Sequence, residues 1–236
     1  MLEVNINYIN LKDGMSSKPL LRNIRFGLEE GNIYTVLGKN GSGKTTLINS
    51  LTKLLDNNVY DINGSVNYYG SNIYEMNIND LLNLRKKNIR YVFQDSVNSF
   101  DPLKKFEYYF KNLNIDLNEL EVLLEYFLLP NLEKLSAMYP YEVSGGMAQR
   151  VSACIAISNK PKLLILDEPN SAIDITISNL LCKKLREFAT GHKAMILIIT
   201  QDLDFAENVS DYIAYLKEGS LSNFSPVSEN KINKRI

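Results

Sequence analysis

One histidine, His192, and two cysteines, Cys154 and Cys182, are all that 236 residues hold of these two residue types. The thiols stand in unrelated contexts without ligand spacing, so a zinc site is excluded and two reduced, buried thiols are expected. Charge of one sign is also missing in excess: 26 Lys and Arg face 27 Asp and Glu, for a net charge of -1. A broad nucleic-acid surface needs a clustered basic surplus, so no nucleic acid is expected among the partners. Long hydrophobic runs are absent as well. "KLLIL" and "AMILII" fall far short of the roughly 18 residues that a membrane span requires. "MLEVNINYIN" has neither a basic start nor an apolar centre, so no secretory leader is expected. What is present is 45% hydrophobic residues, enough for the core of one large domain.

The patterning alternates between strand and helix. "LEVNINYINL" and "LLRNIRFGLEEG", separated by "KDGMSSKP", read as an antiparallel pair. "NIYTVLG" reads as a strand entering a Gly-rich turn, and "KTTLINSLTKLL" after it has helical spacing. "GSVNYYGSNIY" reads as a hairpin arm punctuated by Gly64 and Gly70, and "NIRYVFQD" as a further strand. From about Phe106 to Tyr139 the spacing is helical: "LNELEVLLEYFLL" puts its apolar residues on one face and Pro130 ends it. The helix "GGMAQRVSACIAIS" precedes the strand "KLLILDEP", and the helix "ISNLLCKKLREFA" precedes the strand "AMILIIT". This order predicts a mostly parallel α/β sheet with helices inserted between two strands. The last residues, "SPVSENKINKRI", are polar and are expected to be a loosely ordered tail over 225–236.

"GKNGSGKTT", Gly38 to Thr46, fits G-x-x-x-x-G-K-[ST] between a predicted strand and a predicted helix. Such a turn needs Gly38, Gly41 and Gly43, with Asn40 and Ser42 between them, so that successive N–H groups face phosphate oxygens unobstructed. Lys44 then offers a cation to the β and γ phosphates and Thr45 a hydroxyl to Mg²⁺, while Thr46 opens the helix whose dipole favours an anion. A chance match of this pattern in a chain of this length has a probability on the order of one percent. "LLILDEP" delivers Asp167 and Glu168 to the carboxyl edge of the sheet, where open α/β sheets bind ligands. There Asp167 can hold the Mg²⁺ shell and Glu168 can polarise an attacking water. "VSGGMAQR" makes a second anion turn, with Ser144, Gly145 and Gly146 opening a helix. Two such turns make sense together if the second faces the nucleotide of a neighbouring subunit.

On these residues the chain resembles the ATP-binding cassette (ABC) ATPases, whose signature reads close to "LSGGQ". The order of phosphate loop, Gln94, signature, "LLILDEP", "SAID" and "IIT" agrees over nearly the whole chain. "RYVFQDSVNSFDP" and "YPYEVSGGMAQR" are similar to the ATPases of oligopeptide, dipeptide and nickel importers. The resemblance implies a cassette over residues 1–224: a P-loop core, an antiparallel β subdomain and a helical subdomain at about 95–160. It implies ATP and Mg²⁺ as ligands, with Thr45, Gln94 and Asp167 at the metal and Gln94 touching either the metal or the attacking water. Ser144, Gly145 and Gly146 would reach the partner's γ phosphate, and Ser171 to Asp174 would cross a dimer interface. The implied partners are a second ABC ATPase, preferably a different chain, two membrane permease subunits and a solute-binding protein. Its place would be peripheral, on the cytoplasmic face of the membrane. A soluble cassette or a regulatory nucleotide-binding module is the alternative.

Two positions depart from the family. Where an aromatic stacks on adenine, the matching position carries Leu11, with Tyr8 nearby. Where a histidine follows "IIT" and hydrogen-bonds the γ phosphate, Gln201 stands, and His192 lies at the opposite end of that strand. Gln donates one amide hydrogen bond but cannot become cationic. A weakened transition-state donor costs roughly 2 to 4 kcal/mol, or about 10² to 10³ in rate. A slow ATP site is therefore expected, tolerable if a partner ATPase carries the second site. Arg150, after the signature, is expected to pack locally.

Overall fold

Three apolar runs are buried from end to end and form neighbouring parallel strands: β3 (Ile33–Leu37), β7 (Leu163–Asp167) and β8 (Met195–Thr200). Strands covered on both faces carry continuous rather than alternating apolar residues. The computed structural model describes residues 1–13, 16–112 and 115–229. With β6 (Ile89–Val92), β9 (Tyr212–Lys217) and β10 (Ser220–Leu221), the core sheet runs in the order β10-β9-β3-β8-β7-β6. All its neighbours are parallel except β10, which turns back along β9.

A second sheet is antiparallel, in the order β2-β1-β4-β5, from β1 (Leu2–Asp13), β2 (Ser16–Leu28), β4 (Tyr60–Tyr68) and β5 (Ser71–Asn72). The strands extend into the segment expected as a loop, and Pro19 is accommodated because β2 is the edge of this sheet. Successive core residues face opposite ways. Val36, Leu163, Ile165, Leu197 and Ile199 pack toward the antiparallel sheet and α1 (Lys44–Leu51). Leu164, Leu166, Ile196 and Ile198 pack toward the helices on the other face.

Those helices are α3 (Phe106–Asn112), α4 (Leu117–Tyr126), α5 (Leu132–Ala137) and α6 (Gly145–Ser158), inserted between β6 and β7, followed by α7 (Ile175–His192). The expected helix up to Pro130 stops earlier: α4 ends at Tyr126, and Leu128 turns left-handed at φ 53°. The sequence reading also passed over α2 (Ile78–Lys87) and α8 (Leu203–Val209), capped by the Asn77 and Asp202 side chains. The tail is likewise not loose where it begins. Ser225–Pro226 forms β11 against β9, and Val227 is buried with Leu37, Ala206 and Ile213. One apolar side chain in a polar stretch was the signal. Residues 230–236 lie outside the described residues.

Gly64 does not punctuate a hairpin; it lies inside β4, opposite Ile6, at a register shift. Its φ is +140°, and a Cβ there would sit 2.3 Å from the Asn5 carbonyl oxygen and 2.6 Å from Ile6 Cα. Only glycine combines that conformation with so close an approach. Gly64→Ala should therefore lower unfolding stability by about 2 to 4 kcal/mol, read as a shifted urea midpoint at unchanged slope.

Candidate functional site

The parallel ladders stop level with one another. Leu37 pairs with Thr200, and Asp167 with Ile199. The turns that leave β3, β7 and β8 therefore meet at one edge. Asn40, Gly41, Gly43, Lys44, Thr45, Thr46, Gln94, Asp167 and Glu168 line a single cleft there of about 460 Å³, closed on one side by Leu20. These are nine of the expected site residues, and they come from three different turns.

The glycines have separate reasons. Gly41 and Gly43 have φ of 78° and 97°, and a Cβ on Gly43 would meet Leu21 at 2.9 Å. Gly38 has no room: a Cβ would lie 2.6 Å from Ser42 Oγ and 2.9 Å from the Leu216 carbonyl. Among the described residues no side chain caps α1, which opens at Lys44, and uncapped N–H groups at a helix start favour an anion.

Lys44 and Glu168 are both 6% exposed. Lys44 Nζ donates to the carbonyl oxygens of Gly38 at 2.8 Å and Lys39 at 3.3 Å. It also lies 3.3 Å from Glu168 Oε1, an ion-pair distance without hydrogen-bond geometry, and among the described residues that oxygen accepts no hydrogen bond. The other oxygen, Oε2, accepts from Thr200 Oγ1 at 2.8 Å and from the Gln201 N–H at 3.3 Å. Glu168 itself sits at φ 47°, an uncommon conformation for a side-chain-bearing residue that persists only where its surroundings impose it. Its N–H donates to the Ile199 carbonyl at 2.9 Å and its carbonyl accepts from Gln149 Nε2 at 2.9 Å.

Asp167 Oδ2 accepts from Thr45 Oγ1 at 3.3 Å. Burial raises the Asp167 carboxyl to about 6, and neighbouring Glu168 adds to the rise against the Thr45 hydrogen bond and Lys44. Tyr91, on β6, is pushed well above its ordinary value, first by burial and then by the charge of Asp167. Thr45, Asp167 and Gln94, which line the cleft, carry a hydroxyl, a carboxylate and an amide carbonyl, oxygen groups that suit a hard cation such as Mg²⁺.

The second anion turn stays outside this cleft. Ser144 caps α6 by accepting the Met147 N–H at 3.2 Å. Gly145 faces open space, whereas a Cβ on Gly146 would lie 2.5 Å from the Ala172 carbonyl oxygen. Gly146 is thus required inside the chain as well, for the close approach of α6 to the 171–174 loop. Gln149 reinforces that approach. Buried at 3% exposure, it donates to the Glu168 carbonyl and to Ser171 Oγ and accepts the Ala172 N–H at 3.2 Å. Sequence reasoning missed Gln149, Thr200 and Tyr91. For Gln149 the available signal was a polar residue on the apolar side of a helix. Arg150 behaves as expected, donating to the carbonyls of Gly146 and Phe127 at 3.0 and 2.8 Å.

Gln201 is exposed and borders an adjoining cavity of about 350 Å³ with Gly38, Lys39 and Tyr215. Its link to Glu168 is through the main chain. His192, at the end of α7, stands at the far end of β8.

The raised Asp167 carboxyl has a consequence for stability. A carboxyl with a higher value folded than unfolded stabilises fully at pH below the unfolded value and loses that contribution as pH rises through about 6. Without divalent cations, the thermal midpoint of Asp167→Asn should fall less than that of the wild type between pH 4 and 6.5. Parallel curves would show that Asp167 is ordinary.

Known proteins place this geometry. The sequence pattern of the ABC transporter family matches residues 21–171. The chain is 30% identical over 97% of its length to the oligopeptide transport ATP-binding protein OppD of Bacillus subtilis (strain 168), covering 67% of that protein. It is 29% identical over 89% of its length to AmiE of Streptococcus pneumoniae, an oligopeptide transport ATP-binding protein of which it covers 62%. It is 26% identical over 94% of its length to the metal-staphylopine import system ATP-binding protein CntD of Staphylococcus aureus, covering 84% of it. The chain thus spans about two-thirds of the length of its oligopeptide-type relatives. In fold it is similar to a dimeric structure of the ATP-binding cassette MJ0796 bound to ADP and Pi, with a TM-score of 0.81, 22% identity and coverage of 96% and 99% of the two chains. With a P-loop core sheet, an antiparallel β sheet and inserted helices, the chain belongs to the ABC transporter family.

Proposed function

We propose that this chain is the ATP-binding and hydrolysing subunit of an ABC importer for peptides or metal chelates. The reading rests above all on one juxtaposition: Lys44, Thr45, Asp167 and Glu168 line the same cleft. The named relatives, oligopeptide and metal-staphylopine transport proteins, support the cargo class. Two permease subunits, a solute-binding protein and a second ATPase are the partners, and the chain sits peripherally on the cytoplasmic face of the membrane.

The residues divide the work. Lys44 leaves Glu168 for the β and γ phosphates, and N–H groups of the Gly41–Lys44 turn cradle them. Thr45, Asp167 and Gln94 would hold Mg²⁺, which would neutralise charge on the phosphates. Water attacks the γ phosphorus, the bond to the β–γ bridging oxygen breaks, and Glu168 takes the proton that water gives up. Ser144 and Gly145, exposed on α6, complete the site of a second ATPase across the interface, where Ser171 to Asp174 also cross. Gln201 weakens this chain's own site, so a heterodimer with an intact partner is the preferred assembly.

Lys44→Ala should weaken binding of a fluorescent ATP analogue about 10²-fold, or about 2.7 kcal/mol, and undiminished affinity would sink the assignment. Gln201→His in the assembled transporter should raise turnover about 10-fold or more. An unaltered rate there would mean the glutamine donates adequately. Hydrolysis stimulated by the permease subunits is the outcome expected of a transport ATPase.

A further inference from the structure

Thr200 closes β8 and is fully buried. Its carbonyl accepts the Gly38 N–H at 3.2 Å, which ties it to the first residue of the phosphate turn. Its hydroxyl oxygen accepts the Asp202 N–H at 3.1 Å. A hydroxyl has one proton to give, and with the Asp202 N–H already pointing at the oxygen, that proton is directed to Glu168 Oε2 at 2.8 Å. The Gln201 N–H reaches the same carboxylate oxygen less closely, at 3.3 Å. The other oxygen accepts no hydrogen bond among the described residues; Lys44 pairs with it, and triphosphate draws that ammonium away. Among the described residues the Gln201 side chain makes no hydrogen bond to Glu168. The Thr200 hydroxyl is therefore the shortest contact that still orients Glu168 once nucleotide has claimed Lys44.

The surroundings leave Thr200 little freedom. A β-branched side chain in a strand is restricted at χ1. Asp202 is held in turn, accepting from Phe205 N–H at 3.0 Å and from Asn170 Nδ2 at 2.7 Å. A chain of hydrogen bonds thus runs from the 171–174 side of the site through Asn170, Asp202 and Thr200 to Glu168.

We propose that Thr200 is a positioning residue for the hydrolytic step, holding Glu168 toward the attacking water by a hydroxyl that the residue at 201 does not replace. This rests on the reading of the chain as an ATPase. The test is steady-state ATP hydrolysis by the assembled transporter carrying Thr200→Val, Thr200→Ser, Glu168→Gln and the double variant Thr200→Val/Glu168→Gln, with thermal midpoints measured in parallel. Thr200→Val should lower kcat about tenfold with KM for ATP changed less than about twofold, and Thr200→Ser should recover most of the rate. On the Glu168→Gln background the valine should add no further loss, because the two side chains act as one unit. Where valine prevents assembly, Thr200→Ala takes its place in the same cycle. An unchanged kcat, or an equal additional loss on the Glu168→Gln background, overturns the proposal while leaving the ATPase reading intact. A wild-type transporter that does not hydrolyse ATP removes both.

Discussion

The register of three parallel strands is the constraint on which the site depends. Because Leu37 pairs with Thr200 and Asp167 with Ile199, the turns after β3, β7 and β8 emerge side by side. A slip by one residue would turn every side chain of the slipped strand to the other face of the sheet, undoing the packing of both buried faces. The same packing that buries Leu163 to Leu166 and Ile196 to Ile199 therefore also sets the relative positions of Lys44, Asp167, Glu168 and Thr200. Core and site share one geometrical cause.

Burying charge at that edge is costly, and the structure contains the cost locally. Lys44 and Glu168 are both nearly inaccessible, and each offsets the other's desolvation. Burial raises the Asp167 carboxyl to about 6, against the Thr45 hydrogen bond and the charge of Lys44. Such an arrangement is poor for stability and well suited to a ligand that carries phosphate and a divalent cation, since both sets of charges find better partners when it binds.

On the far side of Glu168, the main chain is clamped rather than charged. Gln149 from α6 holds the Glu168 carbonyl and the Ala172 N–H, and Gly146 lets the helix come close enough to do so. The left-handed conformation of Glu168 is maintained by these contacts and by its hydrogen bond to Ile199. The Ser144–Gly146 turn and Glu168 are thus mechanically joined within one chain, even though the two ends of that connection address different nucleotides in the proposed dimer.

Much of this was legible in the order of residues. The phosphate turn, the acidic end of β7 and the glycine-opened α6 each announce themselves by local chemistry, because glycines that relieve backbone crowding and carboxylates at strand ends are constrained at their own positions. The short elements were harder to read. α2 and α8 are set by caps at Asn77 and Asp202, and α4 ends at a left-handed Leu128 without any breaker residue there. Gly64 looked like a turn and is a bulge, because its neighbour is Ile6 on a strand more than fifty residues away.

The sequence by itself determined that a glycine-rich turn fitting the phosphate-loop pattern lies between a strand and a helix, and that two carboxylates end a second apolar strand. Only the tertiary structure decided what surrounds Asp167 and Glu168. Thr200, Gln149 and Tyr91 carry no motif of their own, and their importance arises from strand pairing and helix packing between residues distant along the chain. Hydrogen bonds are short-ranged and directional, so which groups share one is settled by the fold that brings them within about 3 Å.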